Sequence, residues 1–264
     1  MLRVSQLNIY PIKSLGGIPV GSARITDRGF EHDRRWMLID PKGVQITQRE
    51  VPAMALLQPA ITPTGLGVTH RPTGQELDIP FQAANNDLVK VQCWDDNVTA
   101  QFVGREADGW FSEILKVSCR LVYMPEGSLR QTDLKYTDAG HYTSFADGYP
   151  FLLIGEASLE ELNSRLEQPL PMNRFRPNIV FTGGEPFEED RLRDFHIGDV
   201  RFSGVKRCAR CVMTTIDQNS AEKGKEPLRT LAHYRRDGHK ILFGQNLIHH
   251  GLGRISVGNE LIPV

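Results

Sequence analysis

Apolar residues fall at roughly alternate positions through LRVSQLNIYPI near the amino terminus, the two-residue period of a half-buried β-strand. Short strand-like runs broken by Gly, Pro, Asn and Asp continue over the first hundred residues and predict a mostly β half. Within it RWMLID and VQITQ flank PKG, where Pro41 and Gly43 supply hairpin-turn geometry, and further turns are expected at 63–67 and 72–74. The period changes in DGWFSEILK (108–116). There Trp110, Phe111, Ile114 and Leu115 recur at helical intervals, so a short helix is expected to close this half.

Pro125, Gly127 and the polar RQTDLKYTDAGHYTS make a long irregular segment, of a length that in a compact protein marks function or mobility. The apolar PFLLIG (150–155) opens a second unit and leads into SLEELNSRL, where Ser158 and Glu161 have capping-box spacing and Leu159, Leu162 and Leu166 share a face. Strand-like runs follow at 178–182, 200–202, 212–216 and 255–257, and a helix is expected at 227–236 with Pro227 in its first turn. Many short strands, few helices and no strand-helix alternation predict a mainly β, barrel-like architecture with additional helices (α+β) rather than a doubly wound parallel sheet. The absence of a Gly-rich nucleotide loop argues against a Rossmann-type or P-loop enzyme.

Composition narrows the class. A chain of 264 residues, 40% of them hydrophobic, suits one large or two ordinary domains. Its 31 Lys plus Arg against 32 Asp plus Glu leave a net charge of -1, so no global field points to nucleic acid or an anionic membrane. The first residues lack a signal-peptide core, and no apolar run approaches the roughly 20 residues needed to span a bilayer. A cytoplasmic protein without nucleic-acid or membrane partners is expected. Four cysteines, Cys93, Cys119, Cys208 and Cys211, are too sparse for a secreted disulfide framework.

Two of them form the CARC segment, for which three readings compete. A structural zinc site needs four ligands, yet Cys93 and Cys119 stand alone and His249 and His250 are adjacent rather than three to five apart. A thioredoxin-like pair would precede a helix, whereas VMTTI after Cys211 reads as a strand. An inert packed pair would sit oddly beside Lys206, Arg207 and Arg210, since cations favour thiolate over thiol. A functional thiolate is the favoured expectation.

The segments GDVRFSGVKRCARCVMTTID and NRFRPNIVFTGGEPFEED, with YPIKSLGG, HDRRW, FADGYPFLL and FGQN in order, resemble the MOSC family, in particular its YcbX type, over nearly the whole chain. The resemblance implies an amino-terminal MOSC β-barrel domain (1–118) followed by a MOSC domain (119–264), with a molybdenum-molybdopterin cofactor between them. It implies Cys211 as metal ligand and catalytic residue, with Cys208 only a neighbour. Lys13, Ser14, Arg34, Arg176 and Arg210 match cofactor-contacting positions, and cations suit an anion that bears a phosphate and a dithiolene. Gly148 and Tyr149 fall where relatives carry a small residue and Ser, so Tyr149 is expected to contact the cofactor through its backbone, and Asn246 to line it. Asp147 matches an acidic position near the metal and is a second catalytic candidate that would orient or protonate substrate. Thr214, Thr215 and Asp217 are expected to shape the strand and turn behind Cys211.

The implied activity is molybdenum-dependent reduction of N-hydroxylated small molecules such as hydroxylaminopurine, amidoximes or hydroxylamines, a detoxification of N-hydroxylated bases, with two electrons and two protons consumed per turnover. Some YcbX-type proteins carry a carboxy-terminal ferredoxin domain; this sequence has none before Val264, so an external flavin, iron-sulfur or haem donor is expected. Two other classes compete: a cofactor carrier or sulfur-transfer module using a Cys211 persulfide, and a binding protein without activity. Pyridoxal phosphate enters only through family association with a sulfurase, since no lysine here has a context that supports a Schiff base.

Overall fold

The computed structural model describes residues 1–81 and 86–264. The β reading of the first hundred residues also covers 82–85, which lie outside the described residues. Seven strands close into a barrel in the order Phe151–Gly155, Ile179–Thr182, Leu2–Ile9, Glu260–Pro263, Asp194–Ile197, Val200–Ala209 and Lys240–His250, the last pairing back onto the first. One neighbouring pair, Phe151–Gly155 with Ile179–Thr182, is parallel, and the helix Glu156–Asn163 lies in the connection between them. Closure leaves no free edge in the barrel wall.

The continuous apolar run at 151–155 follows from where this strand lies. Phe151 and Leu153 point into the barrel core with Leu7, Ile179, Phe181, Phe195 and Phe202, while Leu152 and Ile154 pack outward with Leu162, Phe175, Leu231 and Phe243. A strand buried on both faces has no polar side to alternate with.

The amino-terminal half contributes a four-stranded sheet (Trp36–Ile39, Arg120–Tyr123, Asp96–Phe102, Leu88–Cys93) and a three-stranded meander (Leu57–Ile61, Gly65–His70, Gln75–Pro80). The helix Arg105–Leu115 lays Ala107, Phe111 and Leu115 on the same core as Trp36, Leu66, Val68 and Leu121. It ends at Lys116, whose left-handed φ of 57° turns the chain into the next strand. The halves exchange strands: Leu2–Ile9 belongs to the carboxy-terminal barrel, and Arg120–Tyr123 to the amino-terminal sheet. Surfaces from both therefore meet along a seam.

Three local expectations are corrected. The run 212–216 is not a strand but a 3-10 turn, Val212–Thr215, because the Thr214 and Thr215 hydroxyls donate to the carbonyls of Cys211 and Val212 three residues back. Ser158 does not cap its helix, which begins at Glu156 after Gly155; its hydroxyl is buried and donates to Glu189. Pro227 precedes the helix Leu228–Tyr234 rather than occupying its first turn. The hairpin at Pro41–Gly43 forms, but its second limb is held only by isolated bridges such as Ile39 to Gln45.

Candidate functional site

Along that seam a cleft encloses about 750 Å³ of space, solvent at its mouth included. Lys13, Ser14, Arg34, Asp147, Gly148, Tyr149, Arg176, Arg210, Cys211 and Asn246 all line it. The loop after Leu2–Ile9 supplies Lys13 and Ser14, the loop before Trp36–Ile39 Arg34, the segment leading into Phe151 the next three, and the 3-10 turn Met172–Arg174 leads directly to Arg176. Arg210, Cys211 and Asn246 come from the two longest barrel strands and the turn between them.

The backbone here is strained. Ser14, Arg34 and Arg176, together with Trp94 beside them, have φ between 49° and 67°, a region that costs a side-chain-bearing residue about 1–3 kcal/mol. Neighbouring hydrogen bonds enforce it: the Arg34 N–H donates to Tyr10 at 2.8 Å, the Phe145 N–H donates to the Arg34 carbonyl at 3.0 Å, and Gln48 Nε2 donates to the Ser14 carbonyl at 2.6 Å.

Buried Lys13 donates from Nζ to the Phe145 carbonyl at 2.8 Å and to Asp147 Oδ1 at 2.9 Å. Surrounding protein would raise the Asp147 pKa, but Lys13, Arg49 and Arg34 outweigh that and hold it well below the usual carboxylate range. Asp147 is thus an anion open to the cleft. Arg130 braces its loop from behind, donating to the carbonyls of Ser144, Ala146 and Asp147 and pairing with Asp96 at 2.7 Å.

Arg34 is anchored by Asp33 Oδ2 at 2.6 Å and Asn178 Oδ1 at 3.0 Å. Arg176 differs. It is 8% exposed, and its guanidinium makes no hydrogen bond or ion pair among the described residues. Burial pulls its pKa down to about 10, and Arg34 adds repulsion while Tyr10 and Asp147 oppose the fall. Arg210 donates to the Phe175 carbonyl at 2.8 Å, while its Nε is buried without a partner.

The two halves of CARC are held apart chemically. Cys208 Sγ accepts from Arg210 at 3.0 Å, whereas Cys211 Sγ accepts from Arg49 Nη2 at 3.1 Å. Of the three cations flanking the pair in sequence, only Arg210 touches a cysteine; Arg207 pairs with Asp237 and Lys206 lies over the Tyr136 ring. All four cysteines are free, and no cluster of three or more His, Cys, Asp or Glu converges among the described residues. The cysteine pair thus has no partners there for a tetrahedral zinc site.

Gly148 borders open space, so a side chain there would meet no protein atom within 4 Å. The buried Tyr149 hydroxyl has no hydrogen-bond partner among the described residues, and burial, with Asp133 and Tyr136 of the long irregular segment, pushes its pKa up. Asn246 pairs with Leu152 across the barrel wall and stands half-buried at the cleft.

Residues 1–118 match the MOSC N-terminal beta barrel domain and residues 140–262 the MOSC domain. The chain belongs to the MOSC family. It is 35% identical to mitochondrial amidoxime-reducing component 1 of Mus musculus, over 98% of this chain and 81% of that protein. It is 33% identical to mitochondrial amidoxime reducing component 2 of Homo sapiens, over 98% and 82% respectively. Similarity also reaches the molybdenum cofactor sulfurase of Oryza sativa subsp. japonica, 33% identical over 92% of this chain but only 32% of that longer protein. No helix among the described residues is long and apolar enough to cross a membrane.

Sequence reading missed several residues of this MOSC site. Arg174 donates to the Thr214 carbonyl at 2.9 Å and pairs with Asp217 at 3.1 Å, fixing the turn that carries Cys211; it stands in the quoted NRFRPN motif. Tyr10, in YPIKS, lies under both Arg34 and Arg176. Arg49 and Trp94 stack with the guanidinium carbon 4.4 Å from the ring centroid, and neither belongs to a motif that could have exposed it.

Proposed function

We propose that this MOSC protein is a molybdenum-cofactor-dependent oxidoreductase that reduces N-hydroxylated small molecules. The observation that carries the reading is Arg176: a buried cation without a counter-ion among the described residues, in one cleft with a half-buried thiol, fits an anionic metal-bearing cofactor. Lys13, Ser14, Arg34, Arg176 and Arg210 would hold the anionic parts of molybdenum-molybdopterin, Cys211 would ligate the metal, and Gly148, Tyr149 and Asn246 would wall the site. When bound, the cofactor supplies two-electron removal of oxygen from an N-hydroxyl group.

The chain's own groups then have definite tasks. Arg49 holds the Cys211 sulfur toward the cleft and leaves its stacked face on Trp94. Asp147, kept ionised by Lys13 and Arg49, accepts a hydrogen bond from a substrate N–H or O–H and orients it, rather than delivering a proton. Protons come from solvent through the open mouth, and electrons from an external flavin, iron-sulfur or haem protein. Four free cysteines suit a reducing compartment such as the cytoplasm.

The names of the amidoxime-reducing relatives support amidoximes as the substrate class, and hydroxylaminopurine and hydroxylamines would present the same N-hydroxyl group. Full-length protein from a molybdopterin-competent host should carry stoichiometric molybdenum, lost in Cys211→Ala, and should reduce an amidoxime with an artificial donor. The rice sulfurase relative keeps a second reading in view, a carrier or sulfur-transfer module with a Cys211 persulfide. Protein without molybdenum but with persulfide on Cys211 would establish that alternative and sink the reductase.

A further inference from the structure

Behind the cleft, and not lining it, lies the buried ring of Tyr10. The guanidinium carbons of Arg34 and Arg176 each stand 4.3 Å from its centroid. Two like charges on a single ring need an explanation, because each lowers the affinity of the site for the other's charge. The two arginines do not share carboxylate partners either: Asp33 binds Arg34, and nothing among the described residues binds the Arg176 guanidinium.

The ring itself is fixed from two sides. Asp33 Oδ1 accepts from the Tyr10 backbone N–H at 2.7 Å, and the Tyr10 hydroxyl donates to the Pro177 carbonyl at 3.1 Å. Burial, outweighing the arginines, pushes the phenol up to about 12, so the ring stays neutral and its electron-rich face stays available to cations. Gly17 lies against the ring edge, where an added Cβ would stand 2.5 Å from Tyr10 Cε1, and a second cavity borders both Tyr10 and Arg176. The hydroxyl anchor meanwhile lies one residue after Arg176, tying the ring to the backbone that carries the second arginine.

We infer that Tyr10 is a positioning residue whose ring holds Arg34 and Arg176 side by side as a two-pronged clamp for one phosphate-class anion. The inference rests on the reading above that these arginines meet an anionic group, and it names the anchor that the reading lacks. An arginine side chain has several freely rotating bonds, and an anion pays for every alternative rotamer it must suppress. Cation–π contact with a rigid ring removes those alternatives beforehand, so the apparent affinity rises as the fraction of molecules with both prongs in place. The left-handed backbone at both Arg34 and Arg176 serves the same end, since it aims the two side chains from strained positions that the fold must enforce.

The test uses full-length protein made in a host without molybdopterin, with inorganic phosphate as probe and calorimetry as readout. Position 10 is filled with phenylalanine and then with its difluoro and trifluoro analogues, which keep the ring's shape while draining its face of electron density. Tyr10→Phe should bind phosphate within about twofold of wild type, and Tyr10→trifluorophenylalanine about tenfold more weakly, at unchanged melting temperature. A ring that only fills space would give equal affinities along the series, and that result overturns the clamp. Absence of phosphate binding in wild type overturns the anion site and the clamp with it. A graded series in a protein that reduces no N-hydroxylated compound upholds the clamp and discards the proposed activity alone.

Discussion

Beside the helix Glu156–Asn163, Glu189 and the Arg235–Asp190 pair are buried much as Arg34 and Arg176 are in the cleft, yet the two regions treat buried charge in opposite ways. Around the helix each charged group has a partner within the chain, although one oxygen each of Glu189 and Asp190 is buried without a hydrogen bond among the described residues. Arg235 reaches Asp190 at 2.6 Å and stacks on Phe187, and Glu189, accepting from Ser158 at 2.7 Å, has its pKa pushed up by burial to about 7. In the cleft cations outnumber the acids that could answer them, and Arg176 has only a ring. Buried charge that the fold neutralises for itself serves the fold; buried charge left without a counter-ion is a stored affinity for something that arrives later.

The difference can be broken from either side. Arg235→Gln would strand Asp190, whose side chain has no other ion pair among the described residues, and should cost about 3 kcal/mol or more in urea unfolding. An unchanged midpoint would show that this pair is not structural. Glu189 makes a pH-dependent case. Its folded pKa of about 7 lies above the ordinary 4.5, so its contribution is fully present below pH 4.5 and is lost as pH rises through 7. Glu189→Gln should therefore gain on wild type by about 2.5 kcal/mol between pH 5 and pH 8. Parallel stability curves for the two proteins would refute the assignment.

On the cleft side the sign reverses. Arg176→Gln should leave stability equal or about 1 kcal/mol higher, because a buried uncompensated charge is removed, while cofactor retention falls about tenfold. Loss of stability with retention intact would place Arg176 among the structural charges. The smallest effect is expected at Cys208→Ser. Its sulfur meets Arg210 rather than Arg49, so molybdenum content should stay at the wild-type level, and a loss equal to that of Cys211→Ala would erase the asymmetry of the pair.

Periodicity showed the β class and two of the helices because each rests on a local pattern: alternation in LRVSQLNIYPI, helical spacing in DGWFSEILK, a leucine face in SLEELNSRL. It could not show that Leu2–Ile9 completes a wall built from residues after 150, since strand partners leave no local trace. VMTTI misled for a related reason. β-branched residues favour strands on average, but two threonines that bond backward to carbonyls stabilise a tight turn instead. The same limit governs the site. Motif resemblance brought ten residues to the cleft, but the cation on Cys211 comes from Arg49, 162 positions away in a stretch with no motif.

The strand Leu2–Ile9 also sets an order of events. It is made long before its neighbours in the barrel wall, Ile179–Thr182 and Glu260–Pro263. During synthesis only the short strand Ile18–Val20 can pair with it early, so most of its length stays unpaired until those strands have been made. The amino-terminal sheets can assemble in the meantime, but the wall they meet does not close until Pro263 has been added. A group that needs both walls of the cleft therefore finds them only once Glu260–Pro263 has joined the barrel.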